Sequence, residues 1–386
     1  MGEKIGVKID PGAWMPLLVD VRITTLPHDL LVQGRLRDGL TSDAPEVVDA
    51  LTAEPVRADF VTEGDVTRVA LVFPATEEPT PRLWVHVALL LATLVTTLGS
   101  GALMRGLDPF RTRVLEFGGM SFPYPSAFEP ARLWLGASFA LPFLGVLVCH
   151  EMGHFFAARR HGVRASLPYF IPFPPYFSVI GSLGAFIRLR GPTVRRASLF
   201  DIGASGPIAS FLVSVPLLAV GLGMSRTVSG SADLLSPFVI RFAGQPVWLG
   251  NGVVTYLLAS LFGPGTVGEA PILLHPLALA GWLGLFVTAL NLLPLGQLDG
   301  GHVLYALFPK GHGRLARLFL LALVPLGLLW WGWWGWAVLV LVLHRGRVTH
   351  PRVVQPGPDV GARRTILGWM IIVTFFLTFV PVPIEL

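Results

Sequence analysis

His150, Glu151 and His154 stand in the pentapeptide His150-Glu151-Met152-Gly153-His154. On a helix, histidines four residues apart share a face, so both imidazoles reach one ion, and the glutamate between them sits beside it as a base. The chemistry this implies is zinc-assisted hydrolysis. Such a centre needs three protein ligands and one open position for water, whose pKa the ion lowers to about 7. Two histidines leave one ligand to find. Asp201 and Asp299 are the candidates within or beside apolar segments, where acids are scarce. Asp299 closes the run Asn291-Leu292-Leu293-Pro294-Leu295-Gly296-Gln297-Leu298-Asp299 and is followed by Gly300 and Gly301. Pro294 must break or kink a helix there, and the glycines let the backbone run irregularly. Irregular backbone in an apolar setting is tolerated where protein buries it or water reaches it. His302, one turn beyond Asp299, competes with it as the third ligand.

The elements that position these residues are apolar. Of 386 residues, 53% are hydrophobic and only 14% charged, the composition of a polytopic membrane protein with a modest soluble part. The zinc-type motif ends the apolar stretch Leu133 to Ala158. At bilayer depth an ionisable residue costs roughly 2.5–3.5 kcal/mol, and metal binding is the natural offset for three polar groups within one turn. Further runs able to cross about 30 Å of hydrocarbon are Leu83 to Met104, Leu199 to Met224, Pro276 to Leu295 and Ile366 to Val380. Leu315 to His344 reads either as one helix of about 45 Å or as a hairpin with arms of about 22 Å. Its centre, Trp330 to Trp336, holds five tryptophans and two glycines, which suits a turn at a membrane interface.

Arginine placement orients the spans. The loop from Arg159 to Arg196 holds seven arginines and no acid, whereas the loops Arg105 to Ala131 and Ser225 to Leu274 balance bases with acids. The positive-inside rule puts the first loop in the cytoplasm and the other two outside, for about seven crossings with the carboxyl terminus out. His154 then lies roughly 7–8 Å before the cytoplasmic boundary at Arg159 and Arg160, within reach of a polar cleft. Met1 to Gly12 lacks an apolar core, so the amino terminus is expected to stay in the cytoplasm.

Residues 1–80 read as a small soluble α+β domain, with strands at Val7 to Asp10, Leu17 to Thr25, Leu30 to Arg37 and Val66 to Phe73. Asp43, Pro45 and Glu46 start a helix over Val47 to Ala53. Glu77 to Pro81 is a proline-rich linker into the membrane domain, residues 83–381. A net charge of +5 does not imply nucleic acid, because the arginines sit in short loops between apolar segments. A single cysteine, Cys149, excludes an intrachain disulfide and reads as a small buried hydrophobe.

The pair of motifs, HExxH on an apolar helix and Asn-x-x-Pro-x-x-x-x-Asp-Gly downstream, resembles the site-2 protease family of intramembrane zinc metalloproteases. The resemblance covers the chain from about Leu83 onward. It implies one Zn2+ per chain held by His150, His154 and Asp299, with Glu151 moving the proton from the attacking water to the leaving amine. It also implies that Asn291 positions substrate or steadies the oxyanion, and that Gly206-Pro207 permits close helix packing. The prolines of Leu167 to Arg190 and the run Gly181 to Leu189 resemble the family's membrane-associated β-hairpin, whose exposed edge would hold an unwound substrate by strand addition. The external loop Ser225 to Leu274 is too short for a PDZ domain, which points to the plastid and cyanobacterial-type branch. Arginine far outnumbers lysine, which points to a GC-rich bacterial source, and the expected location is a bacterial inner membrane. Expected partners are a transmembrane protein substrate and the lipid bilayer.

The rival reading is a zinc-binding transporter or a non-proteolytic scaffold. A transporter would carry a path of further His, Asp or Glu through the spans, and these spans are nearly free of them. His275 and His350 flank spans and read as interfacial, and Asp201 as a helix-start residue complementing the helix dipole.

Overall fold

The computed structural model describes residues 11–25, 29–53, 56–74, 82–190, 195–351, 353 and 360–385. The expected strand Val7 to Asp10 and the linker Glu77 to Pro81 lie outside these residues. Strands β1 (Leu18–Thr25), β2 (Asp29–Leu36), β3 (Arg57–Glu63) and β4 (Val66–Pro74) form an antiparallel sheet in the order β1-β2-β4-β3. Helix α1 (Pro45–Ala53) covers one face, burying Val47 and Ala50 against Trp14, Val32, Val69 and Leu71. Strand β3 is absent from the sequence reading for a local reason. Its apolar residues are few and split between faces, Ala58 and Phe60 toward the α1 core and Val61 on the opposite face beside Asp59, whose carboxylate pairs with Arg195.

Helix α2 (Leu83–Met104) opens the membrane part, followed by the hairpin β5 (Thr112–Phe117) and β6 (Met120–Pro125), a short α3 (Pro130–Leu133) and α4 (Ala137–Arg160). Two strand pairs follow. The outer is β7 (Arg164–Ala165) with β10 (Leu189–Arg190), and the inner is β8 (Tyr169–Pro172) with β9 (Ser182–Phe186), both antiparallel. The inner pair is the hairpin expected from Gly181 to Leu189. It packs on α2, where Gly181 takes φ +75° and a side chain would meet Thr96 O at 2.5 Å.

Helix α5 (Arg196–Gly223) leads to β11 (Arg226–Thr227), β12 (Phe238–Phe242), β13 (Gln245–Leu249), α6 (Val253–Phe262) and β14 (Ile272–Leu273). With β15 (Ile384–Glu385) these strands make a five-stranded sheet in the order β11-β14-β12-β13-β15. The chain end thus closes the sheet of the loop between α5 and α7. Helices α7 (Pro276–Asn291), α8 (Asp299–Leu307), α9 (His312–Leu329), α10 (Gly332–Leu343) and α11 (Ala362–Thr378) complete the order.

Among the described residues, four helical segments are long and apolar enough to cross a membrane: Leu83–Met104, Pro130–Arg160, Arg196–Gly223 and His312–Leu329. One expected span comes out shorter and another is shifted toward the amino terminus. The segment Pro276 to Leu295 is helical only to Asn291, 16 residues or roughly 24 Å. The segment Ile366 to Val380 falls in the 17-residue α11, whose first turn carries Arg363 and Arg364. Leu315 to His344 is a hairpin, α9 and α10 broken at Trp330–Trp331, and Trp334 Nε1 donates to Val324 O across it at 3.0 Å.

Helices α4, α5 and α7 form the buried heart, and small residues set their spacing. A Cβ on Gly153 of α4 would lie 2.7 Å from Ser205 O of α5, and one on Gly221 of α5 would lie 2.2 Å from Ala278 N of α7. The amino-terminal sheet docks on the arginine-rich loop: Arg164 Nη2 donates to the buried Asp29 Oδ1 at 2.8 Å, and Arg195 Nη2 to Phe60 O at 2.9 Å.

Candidate metal centre

Helix periodicity stacks His150 and His154 on the buried face of α4, with side chains in T-shaped contact and Nε2 atoms 3.1 Å apart. Asp299 comes from far along the chain. Helix α7 stops at Asn291, the chain runs irregularly through Pro294 and Gly296 (φ +54°), and α8 restarts at Asp299. The restart aims the carboxylate at the histidines. Asp299 Oδ2 lies 3.2 Å from His150 Nε2 and 3.3 Å from His154 Nε2. Among the described residues these three form a group able to hold a metal ion. Neighbouring donors of a tetrahedral zinc with bonds of 2.0–2.1 Å stand about 3.3 Å apart, so the observed triangle fits the ion.

The distal ring nitrogens fix which atoms face that triangle. His154 Nδ1 lies 2.7 Å from Ile202 O, and a carbonyl only accepts, so Nδ1 carries the hydrogen and Nε2 keeps a free lone pair. His150 Nδ1 lies 3.0 Å from Ser210 Oγ, which lies 2.8 Å from Thr288 Oγ1, and Thr288 donates to Gly284 O at 2.7 Å. One directed chain satisfies all three: His150 Nδ1–H to Ser210, Ser210 O–H to Thr288, Thr288 O–H to the carbonyl. It leaves His150 Nε2 bare as well. Ser210 and Thr288 went unnoticed in the sequence, although two buried hydroxyls in apolar spans were the available signal.

Glu151 lines the same cleft, of about 190 Å³, together with Ala185, Phe186, Ile187 and Leu189 from the hairpin side. The Ile187 backbone N–H faces its carboxylate. Asn291 Nδ2 lies 3.2 Å from His150 Nε2, so the amide borders the donor triangle. Gly206 is more than a packing residue, since a Cβ there would sit 2.1 Å from His154 Nε2. Among the described residues the free edge of β9 pairs with no other strand, and Leu183 and Phe186 on it are exposed.

The other candidates are placed elsewhere. Asp201 accepts two bonds from Arg364, at 2.7 and 2.8 Å, and one from His161 Nε2 at 2.8 Å, so it ties α5 to α11 and is no ligand of this group. Its expected helix-start role gives way to that tie. His302 lines the cleft, but its Nδ1 is 2.8 Å from His350 Nε2. His350 is therefore not simply interfacial. It stacks on Tyr305, and burial holds it below its ordinary pKa. His275 caps α7, its ring accepting from Leu277 N. Cys149 is half-exposed rather than buried.

Residues 138–324 match the family described as Peptidase family M50. The chain is 33% identical to "Probable zinc metalloprotease EGY1, chloroplastic" of Arabidopsis thaliana over 335 residues, 80% of this chain and 56% of that protein. It is 32% identical to the protein of the same name from Oryza sativa subsp. japonica over 248 residues, 60% of this chain and 40% of that protein. It is also 28% identical to "Probable zinc metalloprotease EGY2, chloroplastic" of Arabidopsis thaliana, over 67% of this chain and 44% of that protein. The chain thus spans about half the length of the curated relatives it matches. No solved structure matches it.

Proposed function

We propose that the chain, whose residues 138–324 match peptidase family M50, the site-2 protease family, is a zinc metalloendopeptidase working inside the membrane. The observation that carries this reading is the donor triangle of His150, His154 and Asp299 with the Glu151 carboxylate in the same cleft. Those three side chains hold the zinc, one ion per chain. When bound, zinc lowers the pKa of water toward neutrality and polarises a carbonyl oxygen.

The chain's own groups do the rest. Glu151 accepts the proton of the attacking water on its carboxylate and returns it to the leaving amine nitrogen. The Asn291 amide donates to the substrate carbonyl oxygen as negative charge develops there. A helical substrate must unwind before attack, because its carbonyl is engaged in backbone bonding. The free edge of β9, whose Ala185 and Phe186 line the cleft, takes up the unwound segment by strand addition. The substrate class is then a membrane protein cut within or beside a transmembrane segment, as in regulated intramembrane proteolysis.

Topology belongs to the same proposal. About seven crossings place residues 1–80 and the zinc site toward the cytoplasm, with residues 83–381 as the protease domain in a bacterial inner membrane. For this count α7, α10 and α11 cross as short helices alongside the four long ones. The amino-terminal domain, gripped through Asp29 and Asp59 by Arg164 and Arg195, holds the two ends of the hairpin segment. A transporter reading lacks a comparable support, since one three-donor group stands among the described residues.

Reconstitution of the purified chain in liposomes with a single-span substrate tests the proposal. Cleavage within the span should stop on chelation and return on adding Zn2+. Cleavage that persists after complete zinc removal would rule the reading out.

A further inference from the structure

At the opposite end of the helix bundle, a cavity of about 380 Å³ opens where α2 ends, α5 ends and α7 begins. Measured along α7 it lies roughly 22 Å from Asn291, at the end of the bundle remote from the donor triangle. Three guanidinium groups line it, Arg105 after α2, Arg226 in β11 and Arg241 in β12, and no acidic residue does. None of the three has an ion-pair partner among the described residues. Three different elements bring them together. Ala243, in the turn of the β12–β13 hairpin, donates its N–H to Leu103 O at 3.2 Å, which clips Arg241 over the end of α2. Strand β11 pairs with β14, which carries Arg226 beside the start of α7.

Three like charges around one concavity repel, and they are stable together where an anion fills it. The remaining walls narrow the chemistry. His275 accepts from Leu277 N, so its neutral ring presents Nε2–H as a donor, and burial with Arg105 nearby keeps it neutral. Met224, just after the long apolar α5, and Leu279, in the first turn of α7, are apolar. Guanidinium forks match phosphate oxygens bidentately, and apolar walls beside them suit acyl chains.

We propose that this cavity is a binding site for a phosphate group, with the phosphodiester of an anionic phospholipid as its source and the end of α2, the β12–β13 turn and the start of α7 as its walls. Occupation ties the five-stranded sheet to the bundle through the ligand. The site is independent of the hydrolytic reading, since it shares no residue with the metal centre.

The test uses the full chain purified in detergent and two probes, fluorescently labelled phosphatidylglycerol in mixed micelles and inorganic phosphate. Wild type should bind the lipid saturably, close to one per chain. Arg226→Gln with Arg241→Gln should weaken that binding at least about tenfold. Met224→Trp, at an exposed position that narrows the apolar mouth, should weaken lipid binding and leave phosphate binding in place. Tight binding of inorganic phosphate with the lipid excluded would keep the site and assign it a soluble phosphate. Failure of both probes to bind wild type, or binding unchanged in the double arginine variant, would overturn the proposal. Because these side chains are exposed, the thermal midpoint without ligand should be the same in all variants and checks that they fold.

Discussion

Gly206 and His154 approach so closely that a methyl group on the glycine would lie 2.1 Å from the histidine's Nε2. That nitrogen is one corner of the donor triangle, so the absence of a side chain at 206 is a condition of metal binding. Helix α5 must pass this near because Ile202 O, one turn earlier, accepts from the other ring nitrogen. Gly206→Ala should therefore lower zinc affinity and cleavage together, each by about a hundredfold or more, since neither helix backbone can retreat from the packed interface. Zinc content by mass spectrometry and cleavage in liposomes measure both. Full zinc occupancy in the variant would refute the argument.

Ser210 holds His150 by its Nδ1 side, at 3.0 Å, and under the proposed reading this orients a zinc ligand. Ser210→Ala removes the acceptor for Nδ1–H, freeing the ring to turn or to change tautomer. A loss of about 10–100-fold in zinc affinity is expected, the range for groups that orient metal-bound histidines. Thr288→Val should give a smaller loss, because it leaves the Ser210 contact intact. Competition with a chelating dye ranks the two. Equal affinities for wild type and Ser210→Ala would show that the chain of hydroxyls is decorative.

That the sequence points to the donor group of His150, His154 and Asp299, and is silent about its supports, has one cause. His150, Glu151, His154 and Asp299 are costly groups in apolar surroundings, and spacing alone puts the first three on one helical turn. Ser210 and Thr288 are cheap in a helix, because each hydroxyl lies within reach of a carbonyl of its own preceding turn, so nothing in the sequence marks them as special. The strands fared similarly. β1, β2 and β4 follow apolar alternation, whereas β3 splits three apolar residues between its two faces, and β11 to β15 are short pieces whose partners lie far along the chain. Span lengths were misjudged at α7 because hydropathy continues past Asn291 while helical hydrogen bonding does not.

Asp201 makes a stability prediction separate from catalysis. Its two bonds from Arg364 join α5 to α11, and bonds to charged groups contribute roughly 1.5–3 kcal/mol before solvent screening, which at this half-exposed pair reduces the figure. Asp201→Asn should lower the thermal midpoint by a few degrees and leave zinc content at wild-type level. Loss of zinc in this variant would instead reinstate Asp201 as a ligand.

The hairpin edge can be tested without touching the metal. Proline at Gly184, Ala185 or Phe186 removes a backbone donor from β9. At one or more of these positions cleavage should fall at least about tenfold with zinc retained. Unchanged cleavage across all three would sink strand addition as the mode of substrate capture.

The central claim is that Glu151 moves the proton in a zinc-dependent hydrolysis built on His150, His154 and Asp299. Its most direct test is paired zinc analysis and cleavage of Glu151→Gln in liposomes with a single-span substrate. The expected result is one zinc per chain, as in wild type, with cleavage below detection. Cleavage at a rate near wild type with zinc bound would contradict the account.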